Sequence, residues 1–446
     1  MVRQQSQDAS TRIACRIGFV LLGLLGTAGL YAEGVLKSGW LVVPLLILPL
    51  GVMVSRSFGP HQKGAMVAMV MTCVVLVVCD LVGRPFADSY LHYSPANMFS
   101  RKLPNLPILG RWDANVIYSG QAYGDLAAMK GEREWREIRE LVFQTDHLGF
   151  RNGKVHEPID LIVLGDSFTA GIGTSQEKIF SQVLERSYGR SVYNMGYPGG
   201  PYDEYLNFAI ESSKLALRPH AELIWVLFEG NDLDDPGGET WDLSSLPWKS
   251  EVGAALVRYR TFRNRSPINQ IMEGLRKRLW GEIEEVVVRS LPDGRPFLFA
   301  GWQEIWGSRS QSEIETHVNF QRLDTTMKAM QRLAIERNVR LSVLIMPTKG
   351  QVYRWVYDQR PVMPADVLSS GFALAVIGEC HRIHLQCFDI KGFLAAEAIR
   401  LYQSSEEVLW WRDDTYLSDR GHEVVATFIA HEILMAELPP AQETGE

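Results

Sequence analysis

Beyond residue 160, short apolar runs alternate with longer segments in which apolar residues recur every three or four positions. The runs at 161–164, 191–193, 223–228, 341–346 and 385–390 read as strands buried on both faces. The helical spacing predicts helices over 179–188, 202–217, 312–336 and 365–381. Strands separated by helices imply right-handed crossovers, and hence a three-layer α/β/α domain with a mainly parallel sheet. In such a sheet the ligand crevice lies beyond the carboxyl ends of the strands, so the residues just after each strand carry the chemistry.

The first 85 residues follow another pattern. Residues 17–32, 38–55 and 64–79 hold no charged side chain, which makes runs of 16, 18 and 16 residues. Each is close to the roughly 20 apolar residues that a spanning helix needs, so three transmembrane helices are predicted. Arg3, Arg12 and Arg16 precede the first run, Lys37 alone follows it, and Arg56 and Lys63 separate the second from the third. Positive charge favours the cytoplasmic side, which predicts a multi-pass inner-membrane protein with its C-terminal region periplasmic or otherwise extracytoplasmic. A cleaved signal peptide ending near Ala32 is the competing reading and delivers that region to the same side.

Composition adds exclusions. At 446 residues, 46% hydrophobic and 22% charged, the chain is a folded protein of several units rather than a disordered one. Its 45 Lys and Arg against 52 Asp and Glu, net −7, lack the basic excess that phosphate backbones demand, so no nucleic acid partner is expected. Cys380 and Cys387 flank a helix-to-strand turn and are free to pair in an oxidising compartment. No cofactor and no metal are expected. The organisation read from these patterns is an anchor at 1–84, an irregular Pro-containing stalk and lead-in at 85–157 with a short helical stretch near 131–141, a domain at 158–436 and a tail at 437–446. The domain carries an insertion at 233–306 with five tryptophans and a basic amphipathic stretch at 258–278. Such an insertion fits a lid, a substrate wall or a docking element.

Three strand ends hold the parts that acyl transfer needs. Gly165-Asp166-Ser167-Phe168-Thr169 follows the first strand, Asn194-Met195-Gly196-Tyr197-Pro198-Gly199-Gly200 the second, and Glu229-Gly230-Asn231-Asp232 the third. A serine hydroxyl can attack an acyl carbon, and the Ser167 N–H, the Gly199 N–H and the Asn231 side chain can hold the developing oxyanion. Singly, each has a plainer reading: Ser167 as a helix N-cap, Gly199 as a turn glycine.

In this order the blocks resemble the SGNH or GDSL-type hydrolases and esterases. The resemblance covers about residues 159–436, and Thr145-Asp-His-Leu-Gly-Phe-Arg-Asn152 is similar to the lead-in of exported, polysaccharide-associated members. One departure is Glu229, where the family's third block has Gly, which sets a carboxylate near the pocket. The family's last block, Asp-x-x-His, fits two registers here. In one, Asp419 and His422 complete a triad with Ser167. In the other, a Gly-His pair opens the final helix and the catalytic position six residues earlier is Tyr416, with Asp413 as its partner. Ser418 as helix N-cap favours the second. A phenol with a pKa near 10 is a poor proton acceptor at neutral pH, so that register leaves the site without a base. His147, His381, His384 and His431 are the other imidazoles to consider.

Lys349 in Pro347-Thr348-Lys349 follows the fourth strand, either as a solvated side chain or as a contact to an anionic sugar. The resemblance implies a membrane-anchored serine esterase or O-acyltransferase. It would act on a glycan or other acylated small molecule outside the cytoplasm, with a membrane-protein partner delivering any acyl donor. The competing expectation is a catalytically inactive domain of the same fold that serves as a binding or structural subunit.

Overall fold

The structure, a computed structural model, describes residues 99–103, 106–130, 132–234 and 286–434. The predicted spans, the tail and most of the insertion lie outside these residues, as do Trp241, Trp248 and Trp280. Among the described residues no helix is long and apolar enough to cross a membrane.

Eleven strands are described. Hairpins β1 (Ser100–Leu103) with β2 (Leu106–Trp112), and β3 (Ile117–Ala122) with β4 (Arg139–Gln144), come first. The sheet strands β5 (Ile159–Gly165), β6 (Val192–Gly196) and β7 (Leu217–Phe228) follow. A third hairpin, β8 (Val286–Ser290) with β9 (Pro296–Ala300), precedes β10 (Arg340–Met346) and β11 (Gln386–Asp389). The central sheet is ordered β11-β10-β7-β5-β6 and every neighbouring pair in it is parallel. The five apolar runs coincide with these five strands to within one residue at each end that overruns.

Alternation within the strands makes two cores. Leu161 and Val163 of β5, with Ile224 and Val226 of β7, pack toward α2 (Phe180–Tyr188), α6 (Lys391–Ser405) and α7 (Asp419–Phe428). Ile162, Leu164, Leu223 and Trp225 face the other way, toward α3 (Pro201–Glu211), α4 (Val318–Glu336) and α5 (Gly371–Arg382). Helices therefore cover both faces. Strand order reverses between β5 and β7, and such a switch point leaves a crevice at the carboxyl ends. The short helix α1 (Ser167–Ala170) begins there.

Several expectations change. The described part of the stretch before residue 157 forms hairpins packed on the domain, with Trp112 and Phe143 fully buried, instead of an irregular stalk. Residues 133–144 are a single 3-10 turn and β4 rather than a helix, because β4 pairs along its whole length with β3. The helix expected over 312–336 breaks at Thr316, since His317 caps a new start by accepting the Asn319 N–H at 3.2 Å. Part of the presumed insertion is core: β9 contributes Phe297 and Phe299, and the Trp306 indole donates to Asp234 at 2.6 Å. Cys380 and Cys387 form a disulfide, with Cα atoms 6.2 Å apart.

Candidate active site

The β5–α1 junction is tight because of two glycines. A methyl on Gly165 would sit 2.3 Å from Thr169 Oγ1 and 2.9 Å from the Val226 carbonyl, and one on Gly196 would sit 2.3 Å from the Ala170 N. Their absence of a side chain lets α1 lie directly across the ends of β5, β6 and β7. Asp166 caps α1 through Oδ1, which accepts the Phe168 N–H at 2.8 Å. Ser167 is buried, and its hydroxyl lies 3.4 Å from Asp166 Oδ2.

The other two blocks arrive from neighbouring strands. Gly199 follows β6, immediately ahead of α3, and is half-buried. Asn231 follows β7, is half-buried, and its Oδ1 has no hydrogen-bond partner. Serine and amide thus flank the switch point, with Gly199 on the far side of β5. Glu229 turns toward the β10 end instead: it accepts the Ser370 hydroxyl at 2.5 Å and the Thr348 N–H at 3.4 Å, and burial pushes its carboxyl up to about 7.

The lead-in holds this end in place. Arg151, fully buried, donates to the carbonyls of Ala170, Gly171, Thr174 and Val142. Asn152 exchanges hydrogen bonds with the Asn194 backbone at 2.8 and 2.9 Å. Burying a guanidinium without a hydrogen-bonded carboxylate is costly, and here it ties the turn after the serine to the domain's first hairpins.

The expected base is not assembled from Asp419 and His422. Asp419 is paired with Lys178 at 2.5 Å near the surface. His422 lies inside α7, stacked on Phe180, with its Nδ1 accepting the Phe180 N–H at 3.3 Å. Its Nε2 is buried without a partner. Burial, and secondarily the Arg151 charge, push this imidazole down to about 3, so it is neutral and committed to packing. Among the described residues no imidazole hydrogen-bonds Ser167. His381 and His384 sit exposed at the amino-terminal edge of β11, His147 is exposed, and the His431 ring meets Tyr188 at 6.1 Å.

Tyr416 does stand beside the serine block, its ring 5.3 Å from that of Phe168. Asp413, however, is not turned to it. Asp413 Oδ2 accepts the Gly124 N–H at 2.7 Å and the Glu137 N–H at 2.8 Å, and Oδ1 takes Arg139 at 3.2 Å. Arg139 also pairs with Asp414 and lies over the Trp411 ring at 4.5 Å. Thr415 is bound through its N–H and hydroxyl to Asp125 at 2.9 and 2.7 Å. Lys349, expected at the surface or on a sugar, is buried under the same loop. Its ammonium donates to the carbonyls of Trp411, Arg412 and Asp414 at 2.7, 3.3 and 3.0 Å, 4.0 Å from the Phe297 ring centre. The 411–416 loop is therefore clamped from both sides by residues distant in sequence. Nothing in the local spacing near 411–422 announces Arg139, Glu137 or Asp125.

No family model matches the chain, and no curated protein matches it. Several solved structures resemble it at low identity. A protein described as lipolytic, of the G-D-S-L family, from Desulfitobacterium hafniense DCB-2 is 14% identical, with a TM-score of 0.30 over 61% of this chain and 97% of its own. An acetyl xylan esterase is 14% identical, with a TM-score of 0.31 over 62% of this chain and all of its own. A member of the lipolytic G-D-S-L family from Veillonella parvula DSM 2008 is 10% identical, at 0.31 over 63% of this chain and all of its own.

Proposed function

We propose that this chain is a serine esterase or O-acyltransferase of SGNH type acting on acyl groups of an extracytoplasmic glycan. The observation that carries the reading is the placement of Ser167 and Asn231 on either side of the β5/β7 switch point, with Gly199 on the adjoining strand end. A hydroxyl nucleophile at one strand end with N–H donors at the neighbouring strand ends is the set of parts an acyl transition state requires. The test is hydrolysis of an aryl acetate, and release of acetate from an O-acetylated polysaccharide, by the purified full-length chain. Ser167→Ala should lower both rates at least about 100-fold, on the scale of losing a covalent nucleophile. Equal rates for the two proteins would defeat the reading.

Placement outside the cytoplasm is part of the proposal. It is supported by the three apolar runs, the bias of Arg and Lys between them, and the Cys380–Cys387 disulfide, a bond that persists in oxidising compartments. Protease added to intact spheroplasts should remove the C-terminal domain; full protection would sink the placement.

A second reading, a non-catalytic SGNH-like domain that binds an acylated glycan, is favoured by one observation: Tyr416 stands where the second register puts the base, while His422 is committed to Phe180. Under this reading Ser167→Ala binds O-acetylated polysaccharide as tightly as the wild-type chain, and Tyr416→His acquires ester hydrolysis that the wild-type chain lacks. A wild-type rate well above that of Ser167→Ala removes it.

A further inference from the structure

Ser167 has one side-chain hydrogen-bond partner among the described residues, the carboxylate of the residue before it. Asp166 is 1% exposed. Its Oδ1 is held by the Phe168 N–H, which leaves Oδ2 toward the serine hydroxyl at 3.4 Å, a length that catalytic hydrogen bonds often have before substrate tightens them. Two further carboxyls stand close enough to interact with it electrostatically. Glu204 accepts the Trp225 indole N–H through Oε2 at 2.6 Å, while its Oε1 has no partner. Asp232 accepts the Phe228 N–H through Oδ2 at 2.7 Å, while its Oδ1 has none. Among the described residues no Lys, Arg or His pairs with any of the three. Three buried carboxyls without a cation cannot all ionise, because each charge is unpaired and repels the next.

Which of the three ionises follows from their surroundings. Backbone N–H groups of Ser167, Phe168 and Thr169 converge on Asp166 and favour its charged form, so that burial raises it only to about 6. Burial first, and then the neighbouring carboxylates, push Glu204 and Asp232 well above the ordinary carboxylate range. The backbone donors thus favour charge on Asp166, next to the hydroxyl, over Glu204 and Asp232.

We propose that Asp166 is the general base of this site, taking the place an imidazole would hold. The assignment rests on the ester-chemistry reading above. In the step it describes, the Ser167 O–H bond breaks and its proton passes to Asp166 Oδ2. The freed oxygen pair forms the Oγ–acyl bond, and the carbonyl π pair moves onto the oxyanion. On collapse the oxyanion pair re-forms the carbonyl, and the leaving alkoxide takes the proton back from Asp166. Water or an acceptor hydroxyl then reverses the sequence, giving up its own proton to Asp166.

The test uses the full-length chain and a fluorescent alkyl fluorophosphonate, which reports nucleophilicity of the serine directly, beside aryl acetate hydrolysis, both between pH 5 and 8. Asp166→Asn keeps an acceptor for the Phe168 N–H and removes the base. Labelling of Ser167 should fall about 100-fold or more, and the rise in wild-type rate through about pH 6 should vanish. Should Asp166→Asn fail to fold, His422→Leu decides the question: a retained acid limb supports Asp166, and its loss overturns the proposal in favour of the imidazole. Labelling of Asp166→Asn at the wild-type rate with an unchanged profile overturns the base assignment and leaves the ester reading standing. A wild-type chain neither labelled nor faster than Ser167→Ala overturns both.

Discussion

The two sides of the crevice are made in different ways. At the β5–α1 junction the backbone does the positioning: Gly165 and Gly196 permit close approach, and Asp166 caps the turn within two residues of itself. At the 411–416 loop, side chains do it. Arg139, Glu137 and Asp125 reach in from the first hairpins, and Lys349 reaches in from the end of β10. The serine side keeps polar groups without partners, whereas the loop side spends nearly every polar group on structure. A register read off short-range spacing is therefore a sound guide on the first side and a poor one on the second.

The largest effect should come from the loop side. Arg139 is the only cation among the described residues that pairs with both Asp413 and Asp414, and both carboxylates are buried. Arg139→Met removes the ion-pair partner of two buried carboxyls, which typically costs about 3–5 kcal/mol. Thermal unfolding should show a drop of that size. A loss under about 1 kcal/mol would mean that the loop is held by Lys349 and the backbone alone, and the contrast between the two sides would weaken.

These long-range ties explain what the sequence could and could not disclose. Ser418 as the cap of α7, and the five sheet strands, were legible because each depends on residues within a few positions. The burial of Lys349, the orientation of Asp413 and the packing of His422 depend on side-chain hydrogen-bond partners 62 to 289 residues away. No local pattern encodes them. Asp166 reads in sequence only as a helix cap, a role that uses one of its oxygens; the lack of a cation paired with the three acids is visible only in three dimensions.

The second effect separates packing from catalysis at His422. An imidazole held down to about 3 in the folded chain and near 6.5 in the unfolded one binds a proton only on unfolding, so stability falls as pH drops from about 6.5 toward 3. By pH 4 this amounts to about 3 kcal/mol. Asp166, raised by burial, works in the opposite sense, adding stability as pH falls through about 6 toward the unfolded value near 3.9. The wild-type curve is thus a sum, and the difference between wild type and His422→Leu isolates the histidine. That difference should grow steadily below pH 6.5; a flat difference would mean that His422 binds its proton alike in the folded and unfolded chain.

Next in size is Gly196→Ala, whose methyl would meet the backbone of α1 at 2.3 Å. Overpacking of this kind costs about 2 kcal/mol, and the strain falls on the segment that carries Ser167. Denaturant unfolding should register the cost, and fluorophosphonate labelling should slow by more than the loss of folded protein accounts for. Normal labelling in a destabilised variant would show that the junction sets stability without setting the serine.

The smallest effect is the sharpest check on the separation of the two sides. The Ser418 hydroxyl accepts the Gly421 N–H at 3.2 Å and donates to the Val408 carbonyl at 2.8 Å, so it caps α7 and closes the base of the 411–416 loop at once. Ser418→Ala should cost about 1 kcal/mol, the ordinary worth of such a cap. With Asp166 as the base the labelling rate of Ser167 stays within about twofold of wild type, because nothing on the loop side moves the proton. A large fall in labelling at so small a cost in stability would put the proton acceptor on the loop, where Tyr416 stands, and would join the two sides into one catalytic unit.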